Sequence, residues 1–334
     1  MAVHKARRHP RTARVDVRPI TSDDLDAAAR LLAERHRRHR VAQPLLDPAF
    51  EHPDAARGEI EALLAGERGD GWLATRAGEP VGFIVGIAKS EATWGGNAWV
   101  ESAGHAATDP AVVRALYAVA AAAWVEAGRW NHHVLVPASD SELADAWFGL
   151  DFGQQMLHAV RPAPPASFGV VPHAEMRIRR AGRADITALV EIELVLPSHS
   201  RRSPVFSFLE PESAEEVRAN LEADIDDPRW TVLVAEVDGR VVGSAVGCSI
   251  TESSANSGLI RPPGAGYLAG AAVLPDARGL GVGTALGEAM LGWARDTGYR
   301  VIAIDWRSTN LEADRTWRGL GFRPTFRRLH RLIG

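Results

Sequence analysis

The 334-residue sequence predicts an α/β fold built twice in tandem. Three observations predict it. Strand-like and helix-like patterns alternate along both halves. Motifs of the first half return in the second at a nearly constant spacing. A stretch with four prolines in twelve residues, 161–172, separates the two, and such a run fits neither a helix nor a central strand.

The elements follow in order. Val15–Ile20 reads as a strand, and Thr21-Ser22-Asp23-Asp24 caps a helix that runs to about Arg38. Residues 71–86 read as a hairpin with Gly78 in its turn. Beyond the proline-rich stretch, Glu175–Arg180 is a strand and Ala184-Asp185 opens a helix through about Val195. Val232 to Gly243 then repeats the hairpin: Gly78, Gly82 and Gly86 return as Gly239, Gly243 and Gly247, each 161 positions later. The block from Trp147 to Phe152 returns as Trp317 to Phe322, 170 positions later. Each half therefore runs strand, helices, three strands, helix, strand, helix, strand. The expected organisation is a basic tail over 1–14, a first domain over 15–160, a linker over 161–174 and a second domain over 175–334. The expected assembly is a monomer whose halves pack as an internal pseudo-dimer.

Composition narrows the function classes. The net charge is -4 and the pI about 6.3, which argues against a nucleic-acid partner. No run approaches the roughly 20 apolar residues of a membrane span. The one cysteine, Cys248, sits in an apolar run, where a small buried residue is the expected role; a single cysteine fits a reducing, cytoplasmic setting. The tail carries Lys5, Arg7, Arg8, Arg11 and Arg14 with no apolar segment after them, so it reads as a solvated start rather than a secretory signal; an arm touching an anionic partner is the alternative. His105, His132 and His133 lack further ligands at metal spacing, and no metal is expected.

The most informative segment runs from Tyr267 to Leu286. Residues 267–274 are small and apolar, as in a buried strand, whereas Leu286, Ala289, Met290 and Trp293 share one helical face. Between them lies Arg278-Gly279-Leu280-Gly281-Val282-Gly283. Alternating glycines let backbone amides face an incoming phosphate, and the helix start that follows favours negative charge. Arg278 adds a cation and Thr284 a hydroxyl. The Gly-Lys-Ser/Thr ending of a Walker loop and the glycine spacing of a dinucleotide fingerprint are both absent.

Val273-Leu274-Pro275 followed by Arg278 to Gly283 resembles the pyrophosphate-binding motif of the GNAT superfamily of N-acetyltransferases. Motifs carry the resemblance over 175–334, and architecture alone carries it over 15–160. It implies two units of a mixed, mostly antiparallel sheet flanked by helices. It also implies acyl-CoA inserted as a pseudo-strand between two splayed parallel strands, with acetyl-CoA as co-substrate. Val273 and Leu274 would meet the pantetheine; Arg278, Gly279, Leu280, Gly281, Val282, Gly283 and Thr284 would hold the pyrophosphate; Asn310 would stand on the cofactor side. The family's Gly-Phe pair after the last helix is present as Gly321-Phe322.

In the first half, residues 98–110 hold no alternating glycines, and Thr108 or Asp109 would cap the helix at Pro110 and repel a phosphate. That half is expected to be a degenerate copy.

Acyl transfer to an amine needs a base for the acceptor, a donor for the oxyanion and, at need, an acid for the thiolate. The resemblance places a tyrosine acid where this chain has Trp317, and an indole cannot donate a proton at neutral pH. It places a glutamate base, in some members, where this chain has Tyr267. Tyr267 is thus either a proton-transfer group or an edge residue packing beside the cleft. Asp305 ends a strand near the cleft, and Glu252 is a weaker candidate. The acceptor side is expected from residues 196–203 with Phe206 and Phe208, and from the loop 249–266. The expected function is transfer of an acetyl group from acetyl-CoA to a primary amine of a small molecule. The alternatives are a non-catalytic acyl-CoA sensor, which Trp317 would favour, and a protein N-terminal acetyltransferase.

Overall fold

The computed structural model describes residues 14–167, 176–207, 213–253, 256 and 258–334. The basic tail up to residue 13, part of the proline-rich linker, Glu175 and Phe208 lie outside the described residues.

In chain order the elements are β1 (Val15–Pro19), α1 (Leu25–Ala42), α2 (Pro53–Leu64), β2 (Asp70–Arg76), β3 (Glu79–Gly86), α3 (Glu91–Trp94), β4 (Asn97–Val100), β5 (His105–Ala107), α4 (Pro110–Glu126), β6 (Asn131–Pro137), α5 (Ser141–Phe148) and β7 (Gly153–Pro162). They continue as β8 (Met176–Arg180), α6 (Ile186–Glu193), α7 (Val195–Ser200), α8 (Ala214–Asp224), β9 (Trp230–Val237), β10 (Arg240–Ser249), β11 (Ala265–Val273), α9 (Val282–Asp296), β12 (Val301–Arg307), α10 (Leu311–Gly319) and β13 (Arg323–Leu332). The chain divides into two units: unit 1 holds residues up to Gln154 together with Phe326–Gly334, and unit 2 holds Gln155–Thr325.

The units are therefore not the contiguous segments 15–160 and 175–334. Within unit 1, Phe326–Leu332 of β13 runs antiparallel to β6, opposite Pro137–Asn131. Within unit 2, Met156–Pro162 of β7 runs antiparallel to β12, opposite Arg307–Val301. Each sequence half lends its last strand to the other unit. The strands that arrive this way are built in: Phe326 and Leu329 are fully buried in unit 1, as are Leu157 and Ala159 in unit 2. Burying one such phenylalanine contributes about 2 kcal/mol.

Unit 2 is one mixed sheet in the order β7-β12-β11-β10-β9-β8, with only the β11–β12 pair parallel. Its core gathers Leu286, Met290, Ile302, Ile304, Trp306 and Phe322. Unit 1 contains β1-β2-β3-β5 and, separately, β4-β6-β13, and its core gathers Val112, Leu116, Tyr117, Trp124, Trp147 and Phe152.

The repeated residues have physical reasons. Ala77-Gly78 and Asp238-Gly239 both have positive φ, the type I′ geometry that matches the twist of a hairpin. A Cβ on Gly82 would strike Val112 and the Ala106 carbonyl, and one on Gly243 would press on Val282 and the Ala272 carbonyl. The glycines thus let α4 and α9 lie close on their sheets. A further echo is an Arg–Asp clamp at the first helix of each unit. Arg18 holds both oxygens of Asp24 at 2.6 and 2.7 Å, and Arg179 holds those of Asp185 at 2.7 and 2.8 Å. Both carboxyls are held below their usual range, chiefly by the arginine.

Candidate active site

The glycine loop of unit 2, residues 278–283, is built as its glycines require. Gly279 and Gly281 adopt φ of +80° and +82°, a left-handed geometry that any Cβ would strain. Gly281 is the N-cap of α9, and no side chain caps that helix. The amides of Val282, Gly283 and Thr284 therefore stand at the positive end of a 15-residue helix without a side-chain acceptor. The helices that follow β5, β6 and β12 behave differently: Asp109 caps α4, Asp140 caps α5 and Asn310 caps α10. Arg278 contacts His199 Nδ1 at 3.2 Å and Glu312 at 3.8 Å, so it ties α7 and α10 to the loop. Leu280 is 58% exposed on the same loop.

The loop leads to a fork. β11 and β12 pair from Ala265↔Val301 to Leu268↔Ile304 and no further. Ala269 is the extra residue of a bulge against β10, and Gly270 to Val273 keep β10 as their only ladder partner. Asp305 is the first residue past the fork on β12. Its carboxylate accepts a short hydrogen bond from the Tyr267 hydroxyl. Burial and the adjacent Asp305 charge push the Tyr267 hydroxyl far above its usual pKa, so it remains a neutral donor and cannot serve as the base. Asn256 and Ser253, joined at 3.0 Å, add to this buried polar cluster. His158, opposite Asp305 on β7, meets Asn256 at 3.3 Å.

Two expectations need correction, those for Trp317 and Leu274. Trp317 is 7% exposed, packed on Gly287 and set edge-on to Phe322 at 6.2 Å. It is a core side chain, as Trp147 is against Phe152 at 5.0 Å in unit 1. Leu274 is buried against Ile192 and Ala272, and its amide bonds the Val242 carbonyl at 2.9 Å, so it belongs to the core rather than to a cofactor surface. The side-chain oxygen of Asn310 accepts the Ala313 amide at 3.1 Å. Glu252 pairs with Arg229 at 3.4 Å. Cys248 is buried, and burial raises its thiol to about 11, which leaves it inert.

The acetyltransferase (GNAT) family profile matches residues 197–322. An aminoglycoside N(6′)-acetyltransferase type 1 of Stenotrophomonas maltophilia is 33% identical over 123 residues, which span 34% of this chain and 79% of that protein. The chain belongs to the GNAT acetyltransferase family. Among solved structures, a GCN5-related N-acetyltransferase from Sphaerobacter thermophilus aligns over 96% of both chains at 17% identity, with a TM-score of 0.58. A tandem GNAT protein from the clavulanic acid biosynthesis pathway aligns over 96% of this chain and 99% of its own, at 16% identity and a TM-score of 0.50. These two likenesses concern the fold.

Ladder register relates the GNAT fork of unit 2 to its counterpart in unit 1. Ala107, Ala106 and His105 face Gly82, Phe83 and Ile84, as Val273, Ala272 and Ala271 face Gly243, Ser244 and Ala245. His105 thus stands where unit 2 has Ala271. Likewise the last parallel pair, Val100↔Val134, matches Leu268↔Ile304, so Trp99 and Leu135 replace Tyr267 and Asp305. His105 Nε2 bonds the Leu135 carbonyl at 2.8 Å, across the mouth of the fork. The buried Arg35 donates to the carbonyls of Ser102 and His105 on the diverging strand. Unit 1 has the fork, but protein side chains occupy it. His132 bonds the Tyr117 hydroxyl at 2.8 Å, and His133 stacks on Trp99 at 4.0 Å, so neither is arranged as a ligand.

Sequence reasoning found the phosphate loop, Tyr267 and Asp305. It included Asn256 and Ser253 only within the loop 249–266 and did not single them out, and it missed His158. The first two lie in a loop without a motif, and His158 enters unit 2 on an exchanged strand.

Proposed function

We propose that the protein is an N-acetyltransferase that moves an acetyl group from acetyl-CoA directly to a primary amine of a small molecule. The observation that carries this reading is the uncapped amino end of α9 leading into the open β11–β12 fork, with the Tyr267–Asp305 pair at its apex. The left-handed glycines and the side-chain-free amides of 282–284 fit a pyrophosphate, Arg278 adds a cation, and the free edge of 270–273 fits an extended pantetheine. Acetyl-CoA, when bound, supplies the acyl group as an activated thioester. The S. maltophilia relative bears acetyl transfer to an aminoglycoside nitrogen in its name, which supports a polar small-molecule amine as acceptor.

The chain's own chemistry starts with the acceptor. An alkylammonium has a pKa of about 10 and must lose a proton before it attacks. Asp305 is the base in this reading: it is half-buried and already oriented by Tyr267. Tyr267 is a positioning residue, since its hydroxyl keeps its proton. With Trp317 in the core, the departing thiolate takes its proton from water or from the acceptor.

The test is release of free CoA from acetyl-CoA across a library of primary amines, with two variants. Gly281→Asp is expected to abolish acetyl-CoA binding. Asp305→Asn is expected to keep binding and lower turnover by about 10²–10⁴-fold. Tight binding with no release for any amine would overturn the enzymatic reading.

A further inference from the structure

Unit 1 holds a cavity of about 360 Å³, bounded by α1 and by the first turns of α4 and α5. It stands where unit 2 has its phosphate loop, since Val112 and Leu116 of α4 press on Gly82 as Val282 and Leu286 of α9 press on Gly243. A phosphate is poorly served there. Asp109 takes the amides of Ala111 and Val112 at 3.1 and 3.3 Å, and Asp140 takes that of Leu143 at 3.0 Å. Both helix ends are already neutralised by carboxylates.

The remaining charges are sorted by wall. On the α1 side lie Arg35 and Arg38. Arg35 is 2% exposed, forms no ion pair among the described residues, and has an Nε without a hydrogen-bond partner. No carboxylate touches it: Asp140 acts on it only through space, and its terminal nitrogens donate to the Ser102 and His105 carbonyls, so an anion brought into the cavity would add the charged contact that it lacks. On the α5 side lie Asp140 and Glu142, with the hydroxyl of Ser139 beside them. A simple anion would meet these carboxylates, and a simple cation would meet the two arginines. Only a ligand that carries both charges is complementary to both walls. The volume lies in the range of small-ligand pockets, roughly 300–1,000 Å³.

We propose that this cavity binds a small zwitterion, a free α-amino acid, with its carboxylate toward Arg35 and Arg38 and its ammonium toward Asp140 and Glu142. The degenerate unit is then a second ligand site rather than a scaffold alone.

The test is calorimetric titration of the full-length protein with each of the twenty L-α-amino acids, with inorganic phosphate and with acetyl-CoA. At least one amino acid is expected to bind at a single site. Its N-acetyl and methyl-ester forms are each expected to bind about tenfold more weakly or worse, because each loses one charge-assisted contact. Arg38→Ala and Asp140→Asn should weaken it to a similar degree. Arg38 is exposed and asparagine caps a helix as well as aspartate, so both variants keep the fold, which thermal unfolding checks. Failure of all twenty to bind would overturn the proposal. So would a hit indifferent to both variants, or binding of phosphate alone. Unchanged acetyl-CoA affinity in both variants separates this outcome from failure of the catalytic reading.

Discussion

Residue 105 is a histidine, and residue 271, which holds the same place in the ladder of unit 2, is an alanine. That pair summarises how the units diverged. The glycines that admit the long helix, the type I′ hairpin, the Arg–Asp clamp and the buried tryptophan on the last helix are common to both. What differs lies at the fork and at the helix start. Unit 2 has Ala271, Tyr267, Asp305 and an uncapped helix; unit 1 has His105, Trp99, Leu135 and Asp109. Scaffold residues are held by packing, which fails if any one changes. A slot is an absence, and one side chain is enough to fill it.

The largest expected effect follows from moving the plug. Ala271→His should set an imidazole across the fork of unit 2 and weaken acetyl-CoA binding by at least about 100-fold. Calorimetry reads this directly, and near-normal affinity would break the equivalence of residues 105 and 271.

Next comes the strand exchange. A fragment of residues 175–334 lacks β7 and with it Leu157 and Ala159 of the unit 2 core, so it should be poorly folded; residues 155–325 keep that strand and that core and should be the better folded of the two. Size-exclusion chromatography and circular dichroism distinguish the two, and equal behaviour would mean that the exchanged strand contributes little.

The smallest effect separates the units by pH. In unit 1, burial lowers the pKa of His36, takes His105 down to about 3, and takes His132 down to about 4. A folded-state pKa below the ordinary histidine value of about 6.5 means that the unfolded chain binds the proton first. The stabilisation is thus complete above about pH 6.5 and is lost as pH falls toward the folded values. Hydrogen exchange at pH 7 and pH 5, corrected for intrinsic rates, should show protection falling more in unit 1 than in unit 2. The Asp24 and Asp185 clamps are common to both and should fail together only in stronger acid. Equal loss in both units at pH 5 would sink the assignment.

The sequence by itself determined the α/β class, the recurring hairpins and the glycine loop that opens α9. Each of these rests on local geometry. Alternating glycines, a positive-φ turn and a helical apolar face need only near neighbours to be legible. The same locality let Thr108 or Asp109 be read as the cap of α4, and the structure gives that role to Asp109 through its bonds to Ala111 and Val112. Tertiary structure decided the rest. Trp317 and Leu274 were assigned to the site by position in a motif, yet a motif position does not say whether a side chain points to the cleft or to the core. The Tyr267–Asp305 bond joins residues 38 positions apart, and the contact of His158 with Asn256 joins residues 98 apart. The exchange of β7 and β13 was equally hidden, because the period of a strand records which face is buried and carries no record of the partner that pairs with its edge.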